Sequence, residues 1–198
     1  MAMQAIDPKA LRELSDEALV AQCRWDAFRA AGPGGQHRDK TNTAVRITHL
    51  PTGLSATAGE ARSQRENRIH ALKRLRLKLA LELRVSIDRA TFQPPQWFVE
   101  ARQLPKQLRL EQRGLPLGAA PPRSPTLVMT PRHQHYFQGI ALVMDVIAEM
   151  RGDIPKSAAM LGISTSSLFR FIEYEGQMLA AVNRIRSAAA IPPLARRR

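Results

Sequence analysis

The 198-residue chain has one cysteine and no long apolar run. The lone Cys23 cannot form an internal disulfide, and no metal-ligand spacing surrounds it. No stretch approaches the ~20 apolar residues that a membrane-spanning helix needs. Charged residues between positions 7 and 17 interrupt the N-terminal segment, so we expect no signal peptide. These absences predict a protein of the reducing cytoplasm that does not span a membrane, and we expect no membrane among its partners.

Acidic residues are also scarce relative to basic ones. The chain has 17 Asp and Glu against 30 Lys and Arg, which gives a formal net charge of +13 and an isoelectric point near 11.2. Such an excess favours a polyanionic partner, either nucleic acid or an anionic surface. The length is sufficient for one full domain and a small second one.

The first ninety residues show local signals for an α+β fold. Asp7-Pro8 predicts the start of a helix over residues 8–20. Residues 23–28 predict a strand that leads into a glycine-rich segment. Residues 45–50 and 54–58 predict a hairpin, because Pro51-Thr52-Gly53 between them is typical turn chemistry.

A long basic helix is predicted after the hairpin. Ser63 and Glu66 have the spacing of a capping box at its start. Apolar residues then recur at helical spacing and predict the buried stripe: Ile69, Leu72, Leu75, Leu79 and Leu83. Residues 60–90 contain nine cations and four acids, so we expect the helix to turn a basic side outward.

The second half of the chain changes character. Residues 91–132 contain eight of the 14 prolines and predict a linker. Helical patterning resumes from about 136, and residues 158–170 resemble a helix-turn-helix core. In that core Ala158 and Ala159 would permit close helix crossing, and Gly162 would make the turn. Ser164 would then cap a second helix that buries Leu168, Phe171 and Ile172. A helical bundle without nucleic-acid contact stays open, since Arg170 is the only basic side chain of the second helix.

The most informative motif is Gly34-Gly35-Gln36, which follows Pro33. Two glycines allow close backbone approach to a ligand, although three common residues alone are a weak signal. With its flanks at residues 37–53 and 60–68, the motif closely resembles the peptidyl-tRNA hydrolase domain of class I peptide chain release factors. The similarity covers roughly residues 22–82. It implies hydrolysis of the ester that joins the nascent chain to tRNA, without metal or other cofactor.

The resemblance also implies roles for individual residues. Gly34, Gly35 and Gln36 would be catalytic: the glycines let the motif enter an RNA site, the Gln36 N–H faces the transition-state oxygen, and its side chain sizes the pocket for water. Basic and polar residues around it are candidates for RNA contact: Arg38, Lys40, Arg46, Arg62, Gln64, Arg65, Arg68, Lys73, Arg74, Arg76 and Lys78. His133 and His135 could chelate a metal, but no further ligand set accompanies them.

The sequence therefore predicts an α+β protein with a small mixed β-sheet packed on the long basic helix, a protruding Gly-Gly-Gln loop and an all-α helix-turn-helix-like module. We expect a hydrolase domain at 1–90, a linker at 91–132, the helical module at 133–189 and a basic tail at 190–198. Because a chain of this length has no room for codon-reading domains, we expect codon-independent release of nascent chains, with ribosomal RNA and peptidyl-tRNA as partners and no specific DNA. A partner-assisted release factor and a non-hydrolytic ribosome-binding protein remain alternatives. A DNA-binding regulator is disfavoured, because the second helix of the helix-turn-helix-like core has few side chains suited to reading bases.

Overall fold

A computed structural model of the chain describes residues 6–29, 43–103 and 124–196. The chain divides into two compact units, Met1–Arg84 and Val85–Arg198. Each unit is described by itself. None of the helices in the described ranges is long and apolar enough to cross a membrane.

The first unit combines helices with a three-stranded antiparallel sheet of order β1-β2-β3. Its elements are α1 (Pro8–Glu13), α2 (Asp16–Ala21), β1 (Cys23–Phe28), β2 (Ala44–His49), β3 (Ser55–Ala58) and α3 (Gln64–Glu82). The α+β class is confirmed, but the prediction of a mixed sheet is wrong, because both strand pairs are antiparallel. The single helix predicted over 8–20 is also wrong. Leu14 is extended, and the Ser15 hydroxyl accepts from Ala18 N–H (3.2 Å) to start a second helix.

The predicted hairpin is confirmed, with Val45 opposite Ala58 and Gly53 in the left-handed region (φ 70°) at its turn. His49 is fully buried beside this turn. Its Nε2–H donates to Gln22 Oε1 (3.1 Å), since an amide oxygen only accepts, and its Nδ1 then accepts from the Thr52 hydroxyl (2.8 Å). Burial lowers the pKa of His49, because the charged imidazolium would lose its hydration.

Helix α3 packs against β2 and β3 and forms one side of the core. The buried cluster contains Leu11, Leu19, Val45, Ile47, Ala58, Ala71, Leu75 and Leu79. Leu72 and Leu83 pack at its edge, but the predicted burial of Ile69 is wrong, since that side chain is 49% exposed. The buried stripe instead begins at Asn67 and continues at intervals of four residues, so Ile69 lies on another side of the helix.

The second unit is mostly helical. It contains α4 (Gln96–Glu100), the short antiparallel pair β4 (Arg102–Gln103) and β5 (Thr126–Leu127), then α5 (Tyr136–Glu149), α6 (Ile154–Leu161), α7 (Thr165–Tyr174) and α8 (Gly176–Ala188). The described part of the segment predicted as a linker is folded. Pro95 precedes α4 as its N-cap, Phe98 is fully buried, and Val128 N–H donates to Ala101 O (2.9 Å). Residues 85–103 therefore belong to the helical unit.

The helix-turn-helix-like geometry follows the sequence prediction closely. Helix α6 ends at Gly162, whose left-handed backbone (φ 65°, ψ 35°) makes the turn. The Ser164 hydroxyl accepts from Ser167 N–H (3.2 Å) and caps α7. As predicted, α7 buries Leu168, Phe171 and Ile172. Ala158 is buried, but its neighbour Ala159 is exposed and takes no part in the helix packing.

Candidate nucleic-acid interface

Residues 30–42, which we call the glycine segment, connect β1 to β2 at one end of the sheet of the first unit. Gly34, Gly35 and Gln36, with Arg38 and Lys40, lie outside the described residues. The strands on either side are described, and Phe28 of β1 pairs with Ala44 of β2. The intervening chain therefore leaves and re-enters the sheet at one place, which is how a hairpin presents a long loop.

Two guanidinium groups lie over aromatic rings of β1. The Arg46 Cζ lies 5.6 Å from the centroid of the Phe28 ring, and the Arg68 Cζ lies 5.6 Å from that of Trp25. Stacking of this kind restrains a guanidinium while its N–H edges can still donate to an anion. Both side chains were predicted from sequence as RNA contacts. Arg46 lies on β2 and Arg68 on α3, and each guanidinium lies over a ring of β1.

Three other predicted RNA contacts are used inside the first unit. Arg74 donates to Glu60 (2.7 Å) and to Thr57 O (2.6 Å). Arg76 donates to Asp16 (2.5 Å) and to Leu14 O (2.9 Å), and Lys78 donates to Ser55 O (3.1 Å). Donors engaged in this way are less available to phosphates. We call Arg74, Arg76 and Lys78 the structural cations.

A second group of predicted contacts faces solvent. Within the described residues, the side chains of Arg62, Arg65 and Lys73 make no hydrogen bond or ion pair, and all three residues are exposed. We call them the open cations. Arg65, Ile69 and Lys73 follow one another at intervals of four, so the exposed Ile69 side chain lies between two open cations on α3. Gln64 is half-buried next to them and has a contact of its own.

Sequence reasoning missed Asn67, which is fully buried near the start of α3. Its Nδ2 donates to Thr43 O (2.8 Å) and to Ala61 O (2.9 Å), while its Oδ1 accepts from Ala61 N–H (2.9 Å). Thr43 is the first described residue after the glycine segment. A polar residue four positions before Ala71, on the buried stripe, is the signal that could have identified it.

The second helix of the helix-turn-helix-like module is partly covered by strand β5. The Ser167 hydroxyl accepts from Leu127 N–H (2.7 Å), and Ser164 N–H donates to Pro125 O (2.9 Å). Arg170 Nε donates to Ser166 O in its own helix (3.4 Å). The first turn of α7 thus presents few groups to a nucleic acid.

The two histidines considered as metal ligands are engaged with each other and with an aromatic ring. His135 N–H donates to His133 Nδ1 (3.2 Å), and the His135 ring stacks on Trp97 with centroids 5.1 Å apart. Among the described residues, no cluster of three or more His, Cys, Asp or Glu side chains has the arrangement of a metal site.

Comparison with known proteins identifies the region that contains the open cations and the stacked guanidinium groups. Residues 17–103 match the RF-1 domain. The chain is 48% identical over 82 residues to peptide chain release factor 1 of Acidiphilium cryptum, which covers 41% of this chain and 23% of that protein. It is 51% identical over 59 residues to peptide chain release factor 2 of Paramagnetospirillum magneticum, which covers 30% of this chain and 16% of that protein.

The match is therefore confined to one domain. The chain spans about a quarter or less of the length of the curated relatives that it matches. The Gly34-Gly35-Gln36 motif, the open cations and Asn67 all fall inside the matched range. Residues 17–103 are thus similar to an RF-1 domain, and the 95 residues after them lie beyond the match.

Proposed function

We propose that this protein is a ribosome-dependent peptidyl-tRNA hydrolase of the cytoplasm that releases nascent peptides without reading a stop codon. The observation that carries the proposal is the Gly34-Gly35-Gln36 motif within an RF-1 domain. The paired Phe28 and Ala44 support it, because they hold both ends of the motif-bearing segment at one end of the sheet. A segment held at both ends can be offered to a narrow RNA site.

In the proposed reaction, water attacks the ester carbonyl that joins the peptide to the terminal ribose of tRNA. The ester C–O bond breaks, the peptide leaves as a carboxylic acid, and the ribose oxygen takes a proton. The Gln36 N–H donates to the oxygen that becomes negative, and the Gln36 side chain restricts the pocket to a water molecule. One such donor contributes roughly 3–4 kcal/mol to other acyl transfers. The reaction needs no general base from the protein, because positioning of the reactants in the ribosomal RNA site lowers the rest of the activation barrier.

Affinity for the ribosome comes from the basic side chains around this segment. The open cations Arg62, Arg65 and Lys73 contact RNA phosphates, as do Arg38 and Lys40 next to the motif. Arg46 and Arg68 reach phosphate through the N–H edges of their stacked guanidinium groups. The structural cations contribute through the fold of the unit.

The proposed independence from a stop codon rests on the part of the chain that follows the matched region. The similarity to release factors ends at residue 103, and the described residues 124–196 beyond it are mostly helical. The second unit, rather than a codon reader, would then determine which ribosomes the hydrolase domain engages. Helix α7 of that unit contains one basic residue, Arg170, and one acidic residue, Glu173, which disfavours DNA as the target.

The test is peptide release from purified ribosomes that hold peptidyl-tRNA on an mRNA truncated in the channel. We expect release by the wild type and loss of most of it in Gln36→Ala and Gly35→Ala. The matched control is Gln177→Ala, an exposed glutamine of α8, which should release peptide normally. Wild-type protein that binds ribosomes without releasing peptide would leave only the non-hydrolytic binding function. Release that requires a stop codon in the channel, or an added protein, would remove the codon-independent or unassisted part of the proposal.

A further inference from the structure

We propose that Asn67 is a positioning residue that holds the C-terminal base of the glycine segment against α3 and thereby sets the rate of peptide release. The inference rests on the proposed function. It concerns a residue that touches neither substrate nor RNA and acts through the backbone of Thr43.

Every polar atom of the Asn67 side chain is used. The amide has two N–H donors, which reach Thr43 O and Ala61 O, and its oxygen accepts from Ala61 N–H. All three bonds are between 2.8 and 2.9 Å long, and the side chain has no exposed surface. A single side chain therefore ties the backbone before β2 to the backbone before α3.

Local helix stability does not explain an asparagine at this position. Asn67 lies in the second turn of α3, past the N-cap Ser63, where asparagine is a poorer helix former than alanine or leucine. The next residues of the buried stripe, Ala71 and Leu75, are apolar. Asparagine in this row is accounted for by the bonds that it makes outside the helix.

The position of Thr43 gives these bonds their consequence for the reaction. Gln36 precedes Thr43 by seven residues, so its reach from a fixed Thr43 is at most roughly 25 Å, and release of Thr43 widens the range of positions open to it. On the other side, Phe28 is held by its pairing with Ala44. Since misplacement of a catalytic group by about 1 Å can lower a rate by roughly 100-fold, the anchoring of Thr43 affects the rate more than the affinity.

The sharpest substitution is Asn67→Asp, which keeps the size of the side chain. An ionised carboxyl accepts from Ala61 N–H but donates to neither Thr43 O nor Ala61 O, and a protonated one has a single donor for these two carbonyls. Asn67→Ala removes all three bonds and leaves the two carbonyls without this partner. The matched control is Leu79→Ala, which removes a buried side chain from the same helix, three turns further along.

The first measurement is single-turnover peptide release as a function of protein concentration, at a temperature where chemical denaturation shows all variants folded. We expect Asn67→Asp to lower the maximal rate by about 10- to 100-fold and to change the half-saturating concentration less than twofold. Leu79→Ala should keep the wild-type rate. An unchanged maximal rate in Asn67→Asp, or an equal loss in Leu79→Ala, would overturn the positioning role.

The second measurement is amide hydrogen exchange of the free protein, which needs no ribosome. Asn67→Asp should speed exchange at residues 44 and 45 and leave residues 75–80 of α3 as slow as in the wild type. Unchanged exchange at 44 and 45 contradicts the anchor even if release is impaired. Wild-type protein that releases no peptide refutes the proposed function and, with it, the effect on rate, whereas a releasing wild type with an unaffected Asn67→Asp refutes this inference alone.

Discussion

The open cations and the structural cations of the first unit differ in their contacts, and we predict that the two groups have separable effects. The first perturbation replaces the open cations together, as Arg62→Gln, Arg65→Gln and Lys73→Gln. The second is Arg76→Gln in the structural group. Each replacement removes charge and leaves a shorter polar side chain, but only the second breaks contacts within the unit.

The magnitudes follow from the surroundings of each group. Each phosphate contact contributes roughly 0.7–0.9 to the slope of log affinity against log salt, which corresponds to about four- to fivefold in affinity at physiological salt. Loss of three contacts should lower affinity for ribosomes by roughly 100-fold and flatten the slope by about 2 to 3. The free energy of unfolding should not change, because these side chains make no hydrogen bond or ion pair within the described residues.

The Arg76 side chain is only 15% exposed and donates to Asp16 and to Leu14 O. Hydrogen bonds that involve a charged group each contribute about 1.5–3 kcal/mol at most, and the 62% exposure of Asp16 reduces the ionic part. We therefore expect Arg76→Gln to lower the free energy of unfolding by about 1–2 kcal/mol. For a unit of this size that is a Tm decrease of roughly 5–15 °C.

The assays are ribosome binding over a range of salt concentrations and thermal unfolding followed by circular dichroism. The expected pattern is a double dissociation: the triple variant loses affinity and salt dependence but keeps its Tm, and Arg76→Gln loses Tm but keeps the salt slope. If Arg76→Gln flattened the slope as much as one open cation does, the division into two groups would be wrong. A triple variant with wild-type affinity would refute RNA contact by the open cations.

Two further predictions concern stability. Burial lowers the pKa of His49 below its ordinary 6.5, so the unfolded chain binds the proton first as pH falls. The contribution of His49 to stability is therefore complete above about pH 6.5 and decreases below it by at most about 1.4 kcal/mol per pH unit. Denaturant titrations across this range should show a different dependence of the free energy of unfolding on pH in the wild type and in His49→Phe. Gly162→Ala should destabilise the second unit by more than the roughly 1 kcal/mol that we expect Gly53→Ala to remove from the first unit. Both glycines have positive φ, but only at Gly162 would a Cβ meet the Arg102 guanidinium. Urea unfolding measures both losses. Equal losses would show that backbone strain alone acts at both turns.

The elements that could be predicted from sequence are those with local causes. Strands β2 and β3 were located by the turn chemistry of residues 51–53 between them, and the start of α3 was located by the hydroxyl of Ser63. The turn at Gly162 and the cap at Ser164 were found in the same way. Each of these signals acts between residues at most a few positions apart, so the chain carries it without reference to tertiary structure.

The buried side of α3 could be predicted only in part, since two apolar rows share Leu75 and Leu79. The row through Ile69 is more hydrophobic, while the row through Asn67 is the one that faces the sheet. The bond from Asn67 to the distant backbone of Thr43 is a tertiary contact, which helical periodicity does not report. For the same reason, sequence could not tell an open cation from a structural one: Arg74 and Lys73 are neighbours and differ only in their tertiary partners.

The proline-rich segment shows the same limit. Composition predicted a linker over 91–132, yet Phe98 and Met129 are buried in the second unit. Prolines exclude long helices but are compatible with short elements, such as α4, where Pro95 occupies the cap. A truncation intended to remove the helical unit should therefore end near Arg84, because one at residue 132 would expose side chains that this unit buries.

Helix α3 connects the proposed binding surface with the proposed catalytic segment. Arg65 and Lys73 face solvent on one side, and two residues after Arg65 the buried side of the same helical turn carries Asn67, bonded to the base of the glycine segment. A helix behaves as a rigid body over so short a distance, so phosphate contacts that orient α3 also orient Thr43. Binding energy gained at the open cations can then lower the activation barrier through positioning. Loss of the open cations should consequently reduce the maximal release rate in the wild type, but less so in Asn67→Asp, where the connection to Thr43 is already broken.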